Sequence, residues 1–134
     1  MVYLRGLAQV NIFASDVVAA RDWYTAALGV DAYFQQPDEV APAYVEFRLG
    51  DSGDEFGIVS TDYRPPAAAT APGGAIARWH VDGIHAAVDD LVGRGATVWE
   101  PVVPRGDDFF TASVLDPFGN VLGLMQSPHY LAQL

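Results

Sequence analysis

The two halves of this sequence repeat one another, and that duplication restricts the fold more than any other feature. Ser15 and Asp82, which are 67 residues apart, each precede a stretch with apolar residues at helical spacing. Beyond these stretches the separation is 66 residues, as between Gly57 and Gly123. Units of about 65 residues are longer than solenoid repeats, which also need about three copies for stability. The sequence therefore predicts two copies of one supersecondary module.

Each half has the pattern of a strand, a helix and three further strands. Alternating polar and apolar residues predict the strands, and apolar residues at helical spacing predict the helix. Ser15 and Asp82 are the expected N-caps of the two helices, and Gly29 and Gly95 are expected to end them. The predicted helices cover residues 16–28 and 84–92, and the predicted strands cover 6–14, 30–36, 43–49, 55–60, 75–81, 97–103, 109–115 and 120–127.

These elements predict an α+β protein with two tandem βαβββ modules. The first module covers residues 1–60 and the second covers 75–127. Between them, residues 61–74 contain three prolines and two adjacent glycines, which is typical of a linker. Residues 128–134 form a tail. The 134 residues together are the size of one domain, so we expect both modules to belong to a single domain.

Composition excludes several kinds of chemistry. The sequence has no cysteine and no lysine, which rules out disulfides, thiolate catalysis, Schiff bases and a P-loop lysine. Its net charge of -10 repels nucleic acids and anionic lipid surfaces and attracts cationic small molecules. No signal peptide is readable, and no stretch approaches the roughly 18 apolar residues of a membrane span. We therefore expect a cytoplasmic protein with neither a nucleic-acid nor a membrane partner.

Three segments carry a resemblance to a known superfamily. They are the turn and strand of Val114–Ser127, the capped helix that ends at Leu28-Gly29, and the stretch Val81–Gly95. In these segments the chain resembles the vicinal oxygen chelate superfamily, which includes glyoxalase I, extradiol dioxygenases, fosfomycin-resistance enzymes and bleomycin-resistance proteins. The resemblance covers essentially the whole chain. It implies that the strands curl into a mixed sheet around a ligand cavity, with the helices on the convex side, and that the protein forms a homodimer.

The strands separate into an apolar face and a polar face. One set of alternating residues is apolar, as a face buried under a helix requires: Val10, Ile12, Ala14, Val45, Phe47, Leu49, Ala77, Trp79 and Val81. The complementary set is mixed: Gln9, Asn11, Phe13, Tyr44, Glu46, Arg48, Glu55, Arg78 and His80. The mixed set either faces solvent or lines a cavity, and the architecture implied by the resemblance favours the cavity.

The resemblance also identifies the positions where metal-using relatives carry their ligands. The matching residues are Gln9, Gly57, Ile76 and Gly123, and of these Gln9 alone has a donor atom. A single neutral amide binds a hard divalent cation very weakly, so we predict no metal and no other cofactor. The two glycines would leave room in the centre of the cavity, or they would mark a pair of β-bulges.

The leading functional prediction is metal-independent binding of a small molecule. Similarity to bleomycin-resistance proteins implies sequestration of an antibiotic or of another cationic or aromatic ligand. Aromatic residues are predicted on the cavity walls, although packing in the core is the alternative for each of them. The candidate ligand-binding residues are Gln9, Asn11, Phe13, Tyr44, Glu46, Arg48, Gly57, Arg78, His80, Trp99, Phe110 and Gly123.

Two other functions stay open. A metal-free lyase or isomerase would use His80 or Glu46 as general acid or base, with an arginine to stabilise an enolate or carboxylate. An accessory module would only dimerise or contact another protein. The remaining histidines, His85 and His129, are expected to be solvated or structural. The apolar residues 130–134 would serve a dimer interface or form a frayed terminus.

Overall fold

A computed structural model describes residues 1–68 and 70–134 of the chain. Ala69, within the predicted linker, lies outside the described residues. The chain divides into two compact units, Met1–Ala68 and Ala69–Leu134. Each unit contains one βαβββ module, so the α+β fold class and the internal duplication are confirmed.

The first module contains four strands, one helix and a short 3-10 turn. Its elements are β1 (Gln9–Ala14), α1 (Val17–Leu28), β2 (Phe34–Gln36), β3 (Tyr44–Leu49), β4 (Asp54–Ser60) and the turn Thr61–Tyr63. The strands form one mixed sheet in the order β1-β4-β3-β2. In this sheet β1 and β4 are parallel and the other pairs are antiparallel.

The second module has the same topology. Its elements are β5 (Arg78–His80), α2 (Ile84–Gly93), β6 (Thr97–Gly106), β7 (Phe109–Leu115), β8 (Val121–Gln126) and α3 (Pro128–Leu131). The sheet order is β5-β8-β7-β6, with β5 and β8 parallel. None of the described helices is both long and apolar enough to cross a membrane.

Strand register confirms that Gly57 and Gly123 are equivalent. Gly57 on β4 lies between Asn11 and Glu46, and Gly123 on β8 lies between Arg78 and Ser113. Pairing is continuous through both glycines, so the β-bulge interpretation of these positions is wrong. The register shifts instead occur in β6.

The apolar face of each sheet packs under its helix. In the first module Val45, Phe47 and Ile58 are completely buried, and the ring of Tyr24 on α1 lies 5.2 Å from that of Phe56. In the second module α2 buries Ile84, Val88 and Leu91 on the side that carries Ala112, Val114 and Leu124. Each large apolar side chain buried in this way stabilises the fold by about 1.5–3 kcal/mol.

Both predicted N-caps are wrong. Asp16, not Ser15, caps α1, and its Oδ1 accepts a hydrogen bond from the Ala19 amide at 3.0 Å. The N-cap of α2 is Gly83, and the Ile84 amide donates to Gln126 Oε1 at 3.1 Å. Asp82 precedes this N-cap by one residue, and its carboxylate contacts His80 instead.

The predicted end of the first helix is correct, whereas the second helix ends before the predicted glycine. Gly29 ends α1 in the left-handed conformation with φ of 69°, as predicted. In the second module α2 ends at Gly93 with Arg94 as C-cap, and Gly95 follows with φ of 107°. Gly95 therefore lies just past the end of the helix.

Several strand ends differ from the prediction. β1 begins at Gln9 rather than residue 6, because its partner β4 begins only at Asp54 and pairs Glu55 with Gln9. β2 and β5 are three residues long, and β6 continues to Gly106. The linker begins with the 3-10 turn, and the tail begins with α3, which includes the first two of residues 130–134.

Candidate functional site

The polar face of the first sheet lies opposite α1 and carries three rows of side chains. Strand alternation places them there, since their neighbours in sequence are buried under the helix. Across the sheet the first row is Gln9, Glu55 and Arg48, the second is Asn11, Gly57, Glu46 and Phe34, and the third is Phe13, Val59, Tyr44 and Gln36. The structure therefore gathers most of the predicted site residues of the first module on one face.

Tyr44 is the centre of a hydrogen-bond network on this face. The Gln9 amide Nε2 donates to the Tyr44 hydroxyl at 2.6 Å. That hydroxyl donates to Glu46 Oε1 at 3.0 Å, and Asn11 Nδ2 donates to Gln9 Oε1 at 3.0 Å. Four side chains from two strands are thus held in fixed orientations.

Arg48 links this network to a second carboxylate. Its NH2 group lies 2.9 Å from Glu46 Oε2 and 3.1 Å from Glu55 Oε1, and its guanidinium lies 4.9 Å from the centre of the Tyr33 ring. Glu46 is only 7% exposed, and both of its oxygens have partners. Two carboxylates against one guanidinium leave the cluster with a net negative charge.

The Tyr44 hydroxyl stays protonated. Burial raises the pKa of Tyr44 well above its usual range, and the hydrogen bond to the Glu46 carboxylate raises that pKa further. A protonated phenol can donate to Glu46 while it accepts from Gln9. The side chain is therefore a neutral hydrogen-bonding and stacking group at neutral pH.

Gly57 does not leave an open space, contrary to our expectation. A Cβ atom at this position would lie 2.5 Å from Asn11 Oδ1 and 2.9 Å from Tyr44 Cε1. Glycine is needed here because these two side chains pass over its backbone. Gly123 is equally enclosed, since a Cβ there would contact the Ala77 carbonyl oxygen and lie 2.8 Å from Ile76 Cγ2.

The residues at the family's metal-ligand positions do not fit a divalent cation. The amide oxygen of Gln9 already accepts from Asn11, and Gly57, Ile76 and Gly123 have no side-chain donor atom. No group of three or more histidine, aspartate or glutamate residues with metal-binding geometry occurs in the described part of the chain. Hard cations need several oxygen ligands, so no step of the chemistry is assigned to a metal here.

A groove of about 620 Å³ runs beside Tyr44. Its walls are Gln36, Pro37, Ala43, Tyr44, Val59 and Tyr63. Because Gln36, Tyr44 and Val59 belong to the third row of the polar face, the groove opens on the face that carries the network. Its volume is typical of small-molecule sites, and its walls are mostly aromatic and aliphatic.

Arg21 of α1 fixes the loop that forms one wall of the groove. Its NH1 group donates to Gln35 Oε1 at 3.0 Å and to the Glu39 carbonyl at 2.7 Å. Within the loop, Asp38 Oδ1 accepts from the amides of Val40 and Ala41, both at 2.9 Å. The loop that supplies Pro37 and Ala43 is therefore tied to the helix.

The second module has a smaller polar cluster. Arg78 NH2 and the Ser113 hydroxyl both donate to Glu100 Oε1, at 3.0 and 2.8 Å, and Arg78 NH1 donates to the Ala112 carbonyl at 2.8 Å. The hydrogen bond from Ser113, followed by that from Arg78, lowers the pKa of Glu100. Arg78 is thus engaged by its own module.

Replacing Ser113 by alanine is expected to lower the free energy of unfolding by about 1 kcal/mol at pH 7. Glu100 then loses its shortest hydrogen bond, but its side chain is 35% exposed and water screens part of the loss. A depressed carboxyl pKa stabilises the fold above the unfolded value of about 4.3, and this contribution disappears as the pH falls. Urea unfolding should therefore show a difference at pH 7 that shrinks below about pH 4. The exposed Ser52→Ala is the control, and a difference that grows in acid would contradict this account.

His80 has both ring nitrogens occupied. The Ser127 amide donates to Nδ1 at 3.2 Å, so that nitrogen carries no proton, and Nε2 lies 3.1 Å from Asp82 Oδ1. The ring stacks on Tyr130 of α3 at 4.8 Å. A second cavity of about 360 Å³ lies here, lined by His80, Asp82, Asp108, Gln126, Ser127, Pro128 and Leu131.

One aromatic residue was assigned to the wrong face of its sheet from the sequence. Phe110 lies on the helix side of its sheet, where it contacts His85 of α2 at 5.6 Å, so its assignment to a cavity wall is wrong. Trp99 falls at the register shift between Val98 and Glu100 and is 39% exposed. Phe13 lies beneath the guanidinium of Arg64, at 5.0 Å.

The sequence interpretation missed the outer wall of the groove. Pro37 and Tyr63 lie in segments interpreted as connections, and Gln36 ends a strand that was predicted without a role. Tyr63 did offer a signal, since it is an aromatic residue shortly after a strand and before the first proline of the linker. Arg64, next to it, was likewise overlooked.

These features define a two-module βαβββ protein whose polar face is organised by hydrogen bonds rather than by metal ligands. The model of the Glyoxalase/Bleomycin resistance protein/Dioxygenase superfamily matches residues 6–124. The chain therefore belongs to that superfamily, as the sequence motifs indicated.

Solved structures with the same fold have low sequence identity to this chain. A superfamily member from Sphaerobacter thermophilus has a TM-score of 0.71 at 21% identity, covering 92% of this chain and 98% of the other. A glyoxalase-related enzyme from Fulvimarina pelagi has a TM-score of 0.71 at 17% identity, covering 93% and 90%. TioX from Micromonospora sp. ML1 has a TM-score of 0.65 at 17% identity, covering 90% and 98%. No curated protein matches the chain. At these identities the likeness concerns the fold alone.

Proposed function

We propose that this protein binds a small aromatic molecule in the groove beside Tyr44, without a metal ion, and holds it chemically unchanged. An antibiotic is one ligand of this class, as sequestration by bleomycin-resistance proteins would suggest. The observation that carries the proposal is an aromatic-walled groove next to a fully engaged hydrogen-bond network.

The groove offers what binding of a planar ring requires. Tyr44 and Tyr63 provide aromatic surface, Pro37 and Val59 provide aliphatic surface, and Gln36 provides a hydrogen-bonding edge. Arg21 holds the loop wall in place before a ligand arrives, which reduces the entropy lost on binding.

The side chains named for acid-base catalysis are poorly suited to it. A general base needs a lone pair that can reach the substrate. Both oxygens of Glu46 accept from Tyr44 and Arg48, and both ring nitrogens of His80 are engaged by Ser127 and Asp82. These contacts favour binding over a metal-free lyase or isomerase.

The test is calorimetry against a panel of planar aromatic compounds and aromatic antibiotics, followed by mass spectrometry of the recovered compound. Tyr63→Ala should weaken the binding of a panel ligand at least about fivefold, because a stacked aromatic contact contributes about 1 kcal/mol. Tyr63 is 68% exposed, so its loss should leave the fold intact.

Tyr3→Ala is the matched control, because Tyr3 is a tyrosine with 85% exposure outside the groove. Its binding should equal that of the wild type. A recovered compound with altered mass would refute sequestration. Equal affinities for Tyr63→Ala and Tyr3→Ala would show that the groove is not the binding site.

A further inference from the structure

Arg64 is a half-buried cation beside the groove with an unsatisfied donor. It follows the 3-10 turn Thr61–Tyr63, and its guanidinium lies over the ring of Phe13 at 5.0 Å. Its Nε atom is buried and has no hydrogen-bond partner among the described residues. A buried donor without a partner destabilises a fold by about 1–3 kcal/mol, and by more when the group is charged.

Arg64 has no carboxylate partner among the described residues, although the chain is rich in carboxylates. Acidic residues outnumber basic ones by 17 to 7. Arg21, Arg48, Arg78 and Arg94 each lie within 3.1 Å of a carboxylate oxygen. Within residues 1–68 and 70–134, no carboxylate lies within ion-pair distance of Arg64.

Strand register places Phe13, the ring beneath Arg64, next to the wall of the groove. Phe13, beneath its guanidinium, pairs with Val59, and Val59 pairs with Tyr44. Neighbouring strands are about 4.8 Å apart, so the cation lies roughly one strand away from the groove wall. Tyr63, which precedes it in sequence, lines the groove directly.

We propose that Arg64 binds the carboxylate of an aromatic ligand whose ring lies in the groove. This inference rests on the proposed function and specifies the ligand class. A guanidinium matches a carboxylate with two parallel hydrogen bonds, and among the described residues Arg64 has no carboxylate of its own. Arg48 is not an alternative anchor, because Glu46 and Glu55 already neutralise it.

Because the chain is strongly acidic, binding of an acidic ligand depends on a local cation such as Arg64. A net charge of -10 repels anions at long range, so an acidic ligand needs a local cation in the site. Arg64 provides that cation on a face that otherwise carries an excess of carboxylates. An amine on the same ligand would be attracted to the Glu46 and Glu55 side of the face.

Three matched probes test the proposal: 2-naphthoate, 2-naphthamide and 2-naphthylmethylamine, titrated by ligand-observed NMR. The acid should bind about tenfold tighter than the amide at low salt, and added salt should reduce this advantage. Arg64→Gln should abolish the advantage and leave the amide affinity within about twofold, whereas Arg64→Lys should retain part of it. Arg94→Gln, which removes a surface pair with Asp90, should change nothing.

Equal binding of acid and amide by the wild type would overturn this inference and leave the proposed function standing. An acid advantage that survives Arg64→Gln would also overturn it. If none of the three probes binds, the proposed function fails as well. The comparison of acid and amide binding by the wild type still tests the preference for a carboxylate if Arg64→Gln fails to fold.

Discussion

Replacing Gly123 by alanine is expected to lower the free energy of unfolding by about 2–3 kcal/mol. The added Cβ would contact the backbone carbonyl oxygen of Ala77 and lie 2.8 Å from Ile76 Cγ2 and 3.0 Å from Arg78 Cγ. A backbone atom cannot rotate away, so the parallel pairing of β5 with β8 has to shift. Urea unfolding of the variant beside the wild type measures the loss.

The same substitution elsewhere separates this crowding from a general effect of alanine. Gly93→Ala adds a Cβ with nothing within 4 Å at the end of α2, and it should be neutral or stabilising by up to about 1 kcal/mol. Gly57→Ala should fall between the two, because its crowding neighbours are side-chain atoms of Asn11 and Tyr44 rather than a backbone atom. Equal losses at positions 57, 93 and 123 would contradict the explanation.

The two glycines also show what the sequence could and could not predict. Their equivalence followed from the repeat, because strand order and register are duplicated between the modules. The reason why each position requires a glycine could not be predicted from the repeat. A glycine in a sequence indicates a missing side chain, whereas the crowding at Gly57 and Gly123 comes from Tyr44 and Ala77, whose positions depend on the folded sheet.

Errors at the helix starts have a similar cause. Ser15 and Asp16 are adjacent residues that both favour N-caps, and the backbone between β1 and α1 selects Asp16. At α2, Gln126 of β8 satisfies the first amide from 42 positions along the chain. No local sequence pattern predicts a hydrogen-bond partner so far along the chain.

The site was predicted in part because strand alternation determines which residues share a face. Gln9, Tyr44 and Glu46 were assigned to one polar face, and the structure joins them there by hydrogen bonds across β4, which lies between their strands. Phe110 was misplaced because Phe109 and Phe110 are adjacent aromatic residues. The alternating pattern alone does not show which of the two faces the helix. Arg64 was missed because it lies in a segment interpreted as a linker.

Tyr44→Phe should be the most informative change within the network. It removes the acceptor of Gln9 Nε2 and the donor to Glu46 Oε1, which are 2.6 and 3.0 Å away. Since Glu46 is only 7% exposed, water replaces the lost donor poorly, and we expect stability to fall by about 1–3 kcal/mol at pH 7.

The same variant tests the protonation state of Tyr44. Because the pKa of Tyr44 is raised in the fold, its contribution to stability is complete below the unfolded value of about 10 and declines as the pH rises beyond it. Tyr44→Phe lacks this decline, so the gap between wild type and variant should narrow as the pH rises above about 10 in urea unfolding. Tyr3→Phe, at a tyrosine that is 85% exposed, should keep the alkaline profile of the wild type. A gap that stays constant over this range would mean that burial and Glu46 do not hold the Tyr44 proton, and it would contradict a raised pKa for Tyr44.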